Sequence, residues 1–370
     1  MNDQCESERR QNRFQAVPRI LHVSMPEKFI GPFIEMVAQH FNLHEHRFLI
    51  RGRRGNYQIP KLAQVEMLTS GSMHPKTLWA LFQAFRKAER IILHGLFCRS
   101  TLLLLWLFPV FRRKSFWFTW GGDIYAATQR DLTGNRRWRQ VLRRIVIPDI
   151  RFLVCHIRGD AERCWRWYGA RGTALRCHKY PSNSVASPSP FYRAADHTLT
   201  VQIGNSATAE NAHKRIFSLL MPYRNIPMRI LCPLAYGNRN YAQSVATRGA
   251  QEFGAQFEPQ TEFLPREDYL THIGNVDIAV FANQRQQAMG TTITLLANGT
   301  KIYLNPRSTV YRHLIDLGIT VFRLDEFTLN ADFPQRETNQ QRVASLYSNG
   351  RLVSDLASIF RMPLHGRGRQ

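Results

Sequence analysis

From Val276 to Asn305 the chain reads VDIAVFANQRQQAMGTTITLLANGTKIYLN. Val276 to Ala282 predicts a strand buried on both faces, Ile293 to Ala297 a helix, and Lys301 to Leu304 the next strand; Asn298-Gly299 stops the helix. Such a unit puts its polar turn at the carboxyl end of a parallel sheet, where open α/β folds bind ligands. With the helix starting near Thr291, its free N–H groups and positive dipole end face that turn beside Arg285, which suits a diphosphate. The plainer reading is an ordinary βαβ connection with a solvated turn.

The same alternation recurs on both sides of a Ser/Pro-rich stretch. In the first half, strands are expected at Arg19 to Met25, His46 to Ile50, Ile91 to Leu96, Lys114 to Trp120 and Phe152 to Ile157. Helical spacing covers Phe29 to Phe41, Pro75 to Arg90, Leu102 to Val110 and Asp160 to Gly169. Pro181 to Pro190 reads as an interdomain linker. Beyond it, strands at Thr198 to Ile203, Met228 to Ala235, Gln256 to Phe263 and Thr320 to Leu324 flank the Val276 unit. Helices follow to Leu220, over Tyr241 to Phe253, Arg266 to Ile273 and Val310 to Leu317, and one long helix runs from Gln340 to Phe360. The expected fold is therefore α/β, with two Rossmann-like domains facing across a cleft: residues 19–181 and 198–362, joined by 182–197 and flanked by disordered ends 1–18 and 363–370.

Charge sharpens this picture. Over 370 residues the formal net charge is +23, which points to a polyanionic neighbour: nucleic acid, an anionic bilayer or a phosphorylated substrate. Thirteen Lys/Arg against four Asp/Glu lie between Arg130 and Lys179. There Arg136, Arg137, Arg139, Arg143 and Arg144 alternate with Trp138, Val141, Leu142 and Ile145, a basic flank beside an apolar stripe. Either a lipid headgroup layer or the protein core would cover that stripe. The polar start of the chain shows no secretory signal, and Thr101 to Phe111 is too short to span a bilayer, so a cytoplasmic, at most peripheral, protein is expected. The six cysteines form no CxxC pair, which favours buried reduced thiols over a zinc site.

Absent motifs narrow the chemistry. No GxGxxG follows the first strand, no Walker motif is present, and no Asp-x-Asp pair offers a clamp for a metal-bound nucleotide. No cofactor or metal is expected. Three strand-end turns offer a site for one phosphorylated ligand: Gly204-Asn205-Ser206, Tyr236-Gly237, and Arg285-Gln286-Gln287 with Gly290-Thr291. In the first half Asp123, after a Trp-rich strand and two glycines, is either a general base or a helix N-cap. His94 and His22 are lesser candidates.

FWFTWGGDIY (Phe116 to Tyr125), IGNSATAENAH (Ile203 to His213), PLAYG (Pro233 to Gly237), and RQQAMGTT with LLANGTKIYLN (Arg285 to Asn305) resemble, in order and spacing, the family fifty-six glycosyltransferases of enterobacterial common antigen assembly. The resemblance runs from about His22 to Leu317. It implies a GT-B fold and transfer of 4-acetamido-4,6-dideoxy-D-galactose from its dTDP conjugate to a polyprenyl-diphosphate-linked disaccharide. One departure is visible: the family-like pattern Trp-His-x-Trp-Gly has Phe118 in place of its His, so no acid/base duty carries over there. On this reading Arg285 and the helix ends near Gly204 and Thr291 stabilise departing dTDP, while Asp123 takes the acceptor proton if the anomeric centre inverts. Arg136, Arg137, Arg143 and Arg144 meet the acceptor and an anionic membrane at the cytoplasmic face of the bacterial inner membrane. No nucleic-acid partner is expected on this reading. A basic nucleic-acid-binding protein, or a GT-B-like sugar binder without chemistry, are the alternatives.

Overall fold

The structure is a computed structural model that describes residues 19–364 apart from 54, 56, 72, 130–132 and 186–196. The expected extension at 1–18, most of the linker and the last six residues of the tail lie outside the described residues.

Two compact units divide the chain. The first takes Met1–His156, Asp160–Pro181 and Val353–Gln370, the second Ile157–Gly159 and Ser182–Leu352. Each is built on one parallel sheet with helical crossovers, so both are Rossmann-like. The first unit's strands are β1 (Ile20–Ser24), β2 (His46–Arg51), β3 (Val65–Leu68), β4 (Arg90–His94), β5 (Ser115–Phe118), β6 (Phe152–Cys155) and β7 (Thr173–Arg176), in the order β3-β2-β1-β4-β5-β6-β7. The second unit's are β8 (Thr200–Ile203), β9 (Arg229–Pro233), β10 (Phe257–Gln260), β11 (Ile278–Phe281), β12 (Lys301–Leu304) and β13 (Phe322–Arg323), in the order β10-β9-β8-β11-β12-β13. The strand order reverses between β1 and β4 in one sheet and between β8 and β11 in the other. Crossovers leave a crevice at the carboxyl ends of such strand pairs.

β11 shows why its apolar run folds this way. All four of its residues are buried. Ala279 and Phe281 face a core with Ile293, Leu296 and Leu314, while Ile278 and Val280 face Ile216, Phe217 and Val245 on the other side. Asp277 lies just before the strand, where its carboxylate accepts the Thr200 amide at 2.7 Å and pairs with His197 at 2.8 Å. That bond ties the start of β11 to β8.

Three expectations change. β3 and β7 were unread because both are sheet edges with little buried side chain, so no apolar run marks them. The single terminal helix is two, Arg336–Leu346 and Asn349–Arg361, because the Ser348 hydroxyl accepts the Arg351 amide at 3.1 Å and starts a new N-terminus. The domain boundary also moves. Val185 donates its amide to Tyr347 at 3.0 Å, so 182–185 pack in the second unit. From Val353 onward the chain belongs to the first unit, where Phe360 lies edge-on to His46 at 4.9 Å.

Cys155, Cys164, Cys177 and Cys232 are buried, and Cys98 is partly exposed. Among the described residues no helix is long and apolar enough to cross a membrane.

Candidate active site

At the β1/β4 crevice of the first unit a cavity of about 220 Å³ is lined by Ser24, Met25, Glu27, His94, Phe97, Trp120 and Arg139. Ser24 ends β1 and His94 ends β4, so the strand order itself brings these residues together.

Asp123 lies beside this cavity and does not open into it. It is fully buried, and its carboxylate accepts three hydrogen bonds: Leu96 N–H at 2.8 Å, Trp117 Nε1–H at 2.9 Å and Trp120 N–H at 2.9 Å. Burial raises its pKa, while Arg143 and these donors pull the other way. It is the third residue of the turn Gly121–Ile124 and reaches back to the amide of Trp120, so it is not the N-cap either. Fully buried and outside the cavity lining, the carboxylate does not meet a substrate hydroxyl in this arrangement. The glycines around it serve packing: a Cβ on Gly122 would sit 3.3 Å from the Phe97 ring, and one on Gly95 2.4 Å from it. In this arrangement Asp123 is not part of the cavity lining, and its bonds to the Leu96 and Trp120 amides hold the backbone that carries Phe97 and Trp120.

His94 has both ring nitrogens engaged. A buried row runs His46 Nδ1 to His22 Nε2 at 2.9 Å, His22 Nδ1 to His94 Nε2 at 3.2 Å, and His94 Nδ1 to Tyr180 Oη at 2.9 Å. Burial lowers the pKa of all three, to about 4 for His46 and about 3 for His94, and His22 well below its usual value with its neighbours' help. All three are thus neutral near pH 7, each with one N–H to give. Trp120 Nε1–H already donates to Tyr180 Oη at 3.0 Å. The tautomers that satisfy every group have Tyr180 O–H donating to His94, His94 to His22, and His22 to His46. So engaged, neither His94 nor His22 is available as a base.

The second unit's crevice collects the strand-end turns. Gly204 follows β8 with φ +60, where a Cβ would come within 2.7 Å of His213 Nε2. Gly237 has φ +116 and would strike the Ala207 carbonyl at 2.2 Å. That closeness lets Ala207 donate its amide to Tyr236 at 2.6 Å and accept from Asn238 at 2.9 Å, joining the first two turns. Arg285, in the turn after β11, pairs with Glu210 at 3.4 Å and joins the third; with the Gln287 amide oriented to accept, Gln287 also binds the guanidinium. Asn211, missed in the sequence, organises the first loop: its side chain accepts Asn205 N–H at 3.1 Å and donates to Ser206 O at 2.9 Å. Among the described residues the buried atoms Asn205 Oδ1, Asn283 Oδ1 and His213 Nε2 have no hydrogen-bond partner. The Tyr236 ring is half exposed and stands edge-on to exposed Phe263 at 5.8 Å. Gln286 lies in the same turn as Arg285 and is partly buried.

Helix starts differ from expectation. After Gly204 to Ser206 the helix begins only at His213, beyond a left-handed Ala212, so the Gly204 turn does not sit on its N-terminus. The helix after β11 begins at Met289. Gly290 therefore lies in its first turn, where a Cβ would meet the Ser182 carbonyl at 2.9 Å, and Thr291 Oγ1 bonds Tyr269 Oη at 3.1 Å.

On the helix Gly134–Val146, Arg136, Arg137 and Arg144 are exposed, as are Val141 and Ile145. Arg143 is the exception. It is buried, donates Nε–H to Leu96 O at 2.9 Å and neighbours Asp123, so it belongs to the scaffold and not to an outer face. Glu27 and Arg139 of the cavity were missed as site residues; Glu27's one signal was its place three residues past the first strand.

Solved structures share this architecture. A glycosyltransferase from Rickettsia africae superposes with TM-score 0.60 at 12% identity, over 92% of this chain and 97% of its own. WaaG, a glycosyltransferase involved in lipopolysaccharide biosynthesis, gives 0.61 at 12% over 93% and 100%. Sucrose-phosphate synthase from Thermosynechococcus elongatus gives 0.63 at 11% over 92% and 98%. At such identities they show the fold, which is GT-B. The sequence model of the 4-alpha-L-fucosyltransferase glycosyl transferase group 56 matches residues 28–346. A match over that much of the chain, on a GT-B fold, places the protein in that family, and it is a nucleotide-sugar glycosyltransferase.

Proposed function

We propose that the protein transfers 4-acetamido-4,6-dideoxy-D-galactose from its dTDP conjugate to a polyprenyl-diphosphate-linked glycan, at the cytoplasmic face of a bacterial inner membrane, in synthesis of a surface polysaccharide of the enterobacterial common antigen type. The second unit binds the dTDP-sugar and the first unit's cavity receives the acceptor. The observation that supports this best is the convergence of three strand-end turns at the β8/β11 crevice, tied by the Ala207–Gly237 bridge and the Arg285–Glu210 pair. Arg285 and the start of the helix at Met289 meet the diphosphate, Gly204, Asn205 and Ser206 approach it by backbone, and Tyr236 meets the base. The exposed arginines Arg136, Arg137 and Arg144 beside Val141 and Ile145 support contact with an anionic lipid surface.

Thermal shift against dTDP, UDP and GDP tests the donor reading, followed by turnover with the dTDP-sugar and the lipid-linked disaccharide. Protection by dTDP above the other two and transfer to the lipid are expected. A shift with oligonucleotides and none with any nucleoside diphosphate would overturn it in favour of nucleic-acid binding.

A further inference from the structure

With Asp123, His94 and His22 engaged elsewhere, the cavity at the β1/β4 crevice still holds one carboxylate. We propose that Glu27 is the catalytic base, taking the proton of the acceptor hydroxyl seated in that cavity. This rests on the transferase reading above.

Glu27 lies three residues past the end of β1 and lines the cavity with Ser24, His94, Phe97, Trp120 and Arg139. Among the described residues its carboxylate makes no hydrogen bond and no ion pair, unlike that of Asp123. Its own carbonyl accepts the Ile30 amide at 3.1 Å, which fixes the backbone at the start of the helix Ile30–His40. Gly31 lets the segment after Tyr57 approach: a Cβ there would meet the Gln58 carbonyl at 2.1 Å. Tyr57 and Tyr180 both feel the Glu27 charge, and Lys28 opposes the rise in its pKa. The charged or titratable groups facing it are thus Lys28, Tyr57, Tyr180, Arg139 and neutral His94. Burial in the cavity wall raises the Glu27 pKa, making its carboxylate a stronger base than a solvated one.

The step balances without a co-reactant. The acceptor oxygen forms a bond to the anomeric carbon as the bond from that carbon to the diphosphate oxygen breaks. The bonding pair leaves with the nucleoside diphosphate, and the hydroxyl proton passes to Glu27. Attack opposite the leaving group makes the transfer inverting. Trp120 and Phe97, held by Asp123, give the sugar an apolar wall, and Arg139 closes the other side with its Nη1–H on the Phe97 carbonyl at 3.2 Å.

The test compares wild type, Glu27→Gln and Glu27→Asp by transfer kinetics, dTDP thermal shift and pH profile. Glu27→Gln is expected to keep the wild-type melting temperature and dTDP shift while kcat falls about 10²–10⁴-fold. The acidic limb of its kcat/KM profile should vanish, and Glu27→Asp should recover part of the rate. Glu27→Gln with near-wild-type kcat, or with only KM raised and the acidic limb retained, overturns the assignment. A wild type that transfers no sugar from the dTDP donor overturns the proposed function, and the base assignment with it. Product with retained anomeric configuration overturns the base assignment alone.

Discussion

Asp123 Oδ2 accepts the indole N–H of Trp117 at 2.9 Å, and both side chains are fully buried. The same oxygen takes the Leu96 amide, and the other takes the Trp120 amide, so one carboxylate ties the ends of β4 and β5 together. An Asn side chain has one accepting oxygen, and its NH₂ would face an N–H donor. Asp123→Asn is expected to cost about 1–3 kcal/mol of stability in urea unfolding, from buried donors left unpaired. Any loss of transfer should come with an unchanged shape of the pH profile. Full wild-type stability in the Asn variant would mean that the three bonds contribute nothing net.

Arg285 is the cation in the second unit's crevice that joins the β8 and β11 loops, through Glu210. Its side chain is partly exposed, so a charge-assisted phosphate bond there falls toward the low end of the usual range. Arg285→Ala should raise the dTDP dissociation constant about tenfold, corresponding to about 1.4 kcal/mol, with the fold intact. Calorimetric titration with dTDP checks it, and unchanged affinity in a folded variant removes Arg285 from the site.

The helix Gly134–Val146 separates two uses of arginine that its sequence spacing did not. Replacing Arg136, Arg137 and Arg144 by Gln should weaken binding to anionic liposomes by roughly 100-fold, at about 1 kcal/mol per basic residue, and leave dTDP binding alone. Arg143→Gln should instead lower the melting temperature, since it strips Asp123 of its neighbouring charge and Leu96 O of a donor. Equal co-sedimentation of the triple variant and the parent would assign the exposed arginines to solvent.

The parts of the fold legible in sequence are those where burial is two-sided or a backbone clash demands a glycine. β11 announced itself by its apolar run, and Gly204 and Gly237 by their places at strand ends. The edge strands β3 and β7 bury too little to leave a pattern. Asp123 reads from spacing as a base or an N-cap, because one of its partners, Leu96, lies 27 residues away across a strand pairing that local spacing does not encode. Glu27 carries no local pattern beyond its place shortly after the first strand. Its cavity exists only because β1 pairs with β4, which the strand order decides.

The row His46–His22–His94 makes a pH prediction of definite sign. Folding holds these imidazoles neutral, with pKa values lowered from 6.5 to about 4 at His46 and about 3 at His94. In the unfolded chain they bind protons as pH falls through about 6.5. The stability they contribute is therefore fully present above that value and is lost as pH falls toward the folded-state values, because the unfolded state then holds more protons. Urea unfolding should show stability declining from pH 7.5 to pH 5. His46 also sits among aromatics, edge-on to the Phe360 ring at 4.9 Å and tilted against that of Phe41 at 6.2 Å, so Phe fits its surroundings. His46→Phe leaves His22 Nε2 without its partner and should lower stability at pH 7.5. It also removes one titrating group, which should flatten the slope between pH 6 and pH 5 by up to about 1.4 kcal/mol per pH unit. An identical slope in wild type and variant would mean that His46 is already protonated in the fold, and the tautomer order through His22 and His94 to Tyr180 would have to run the other way.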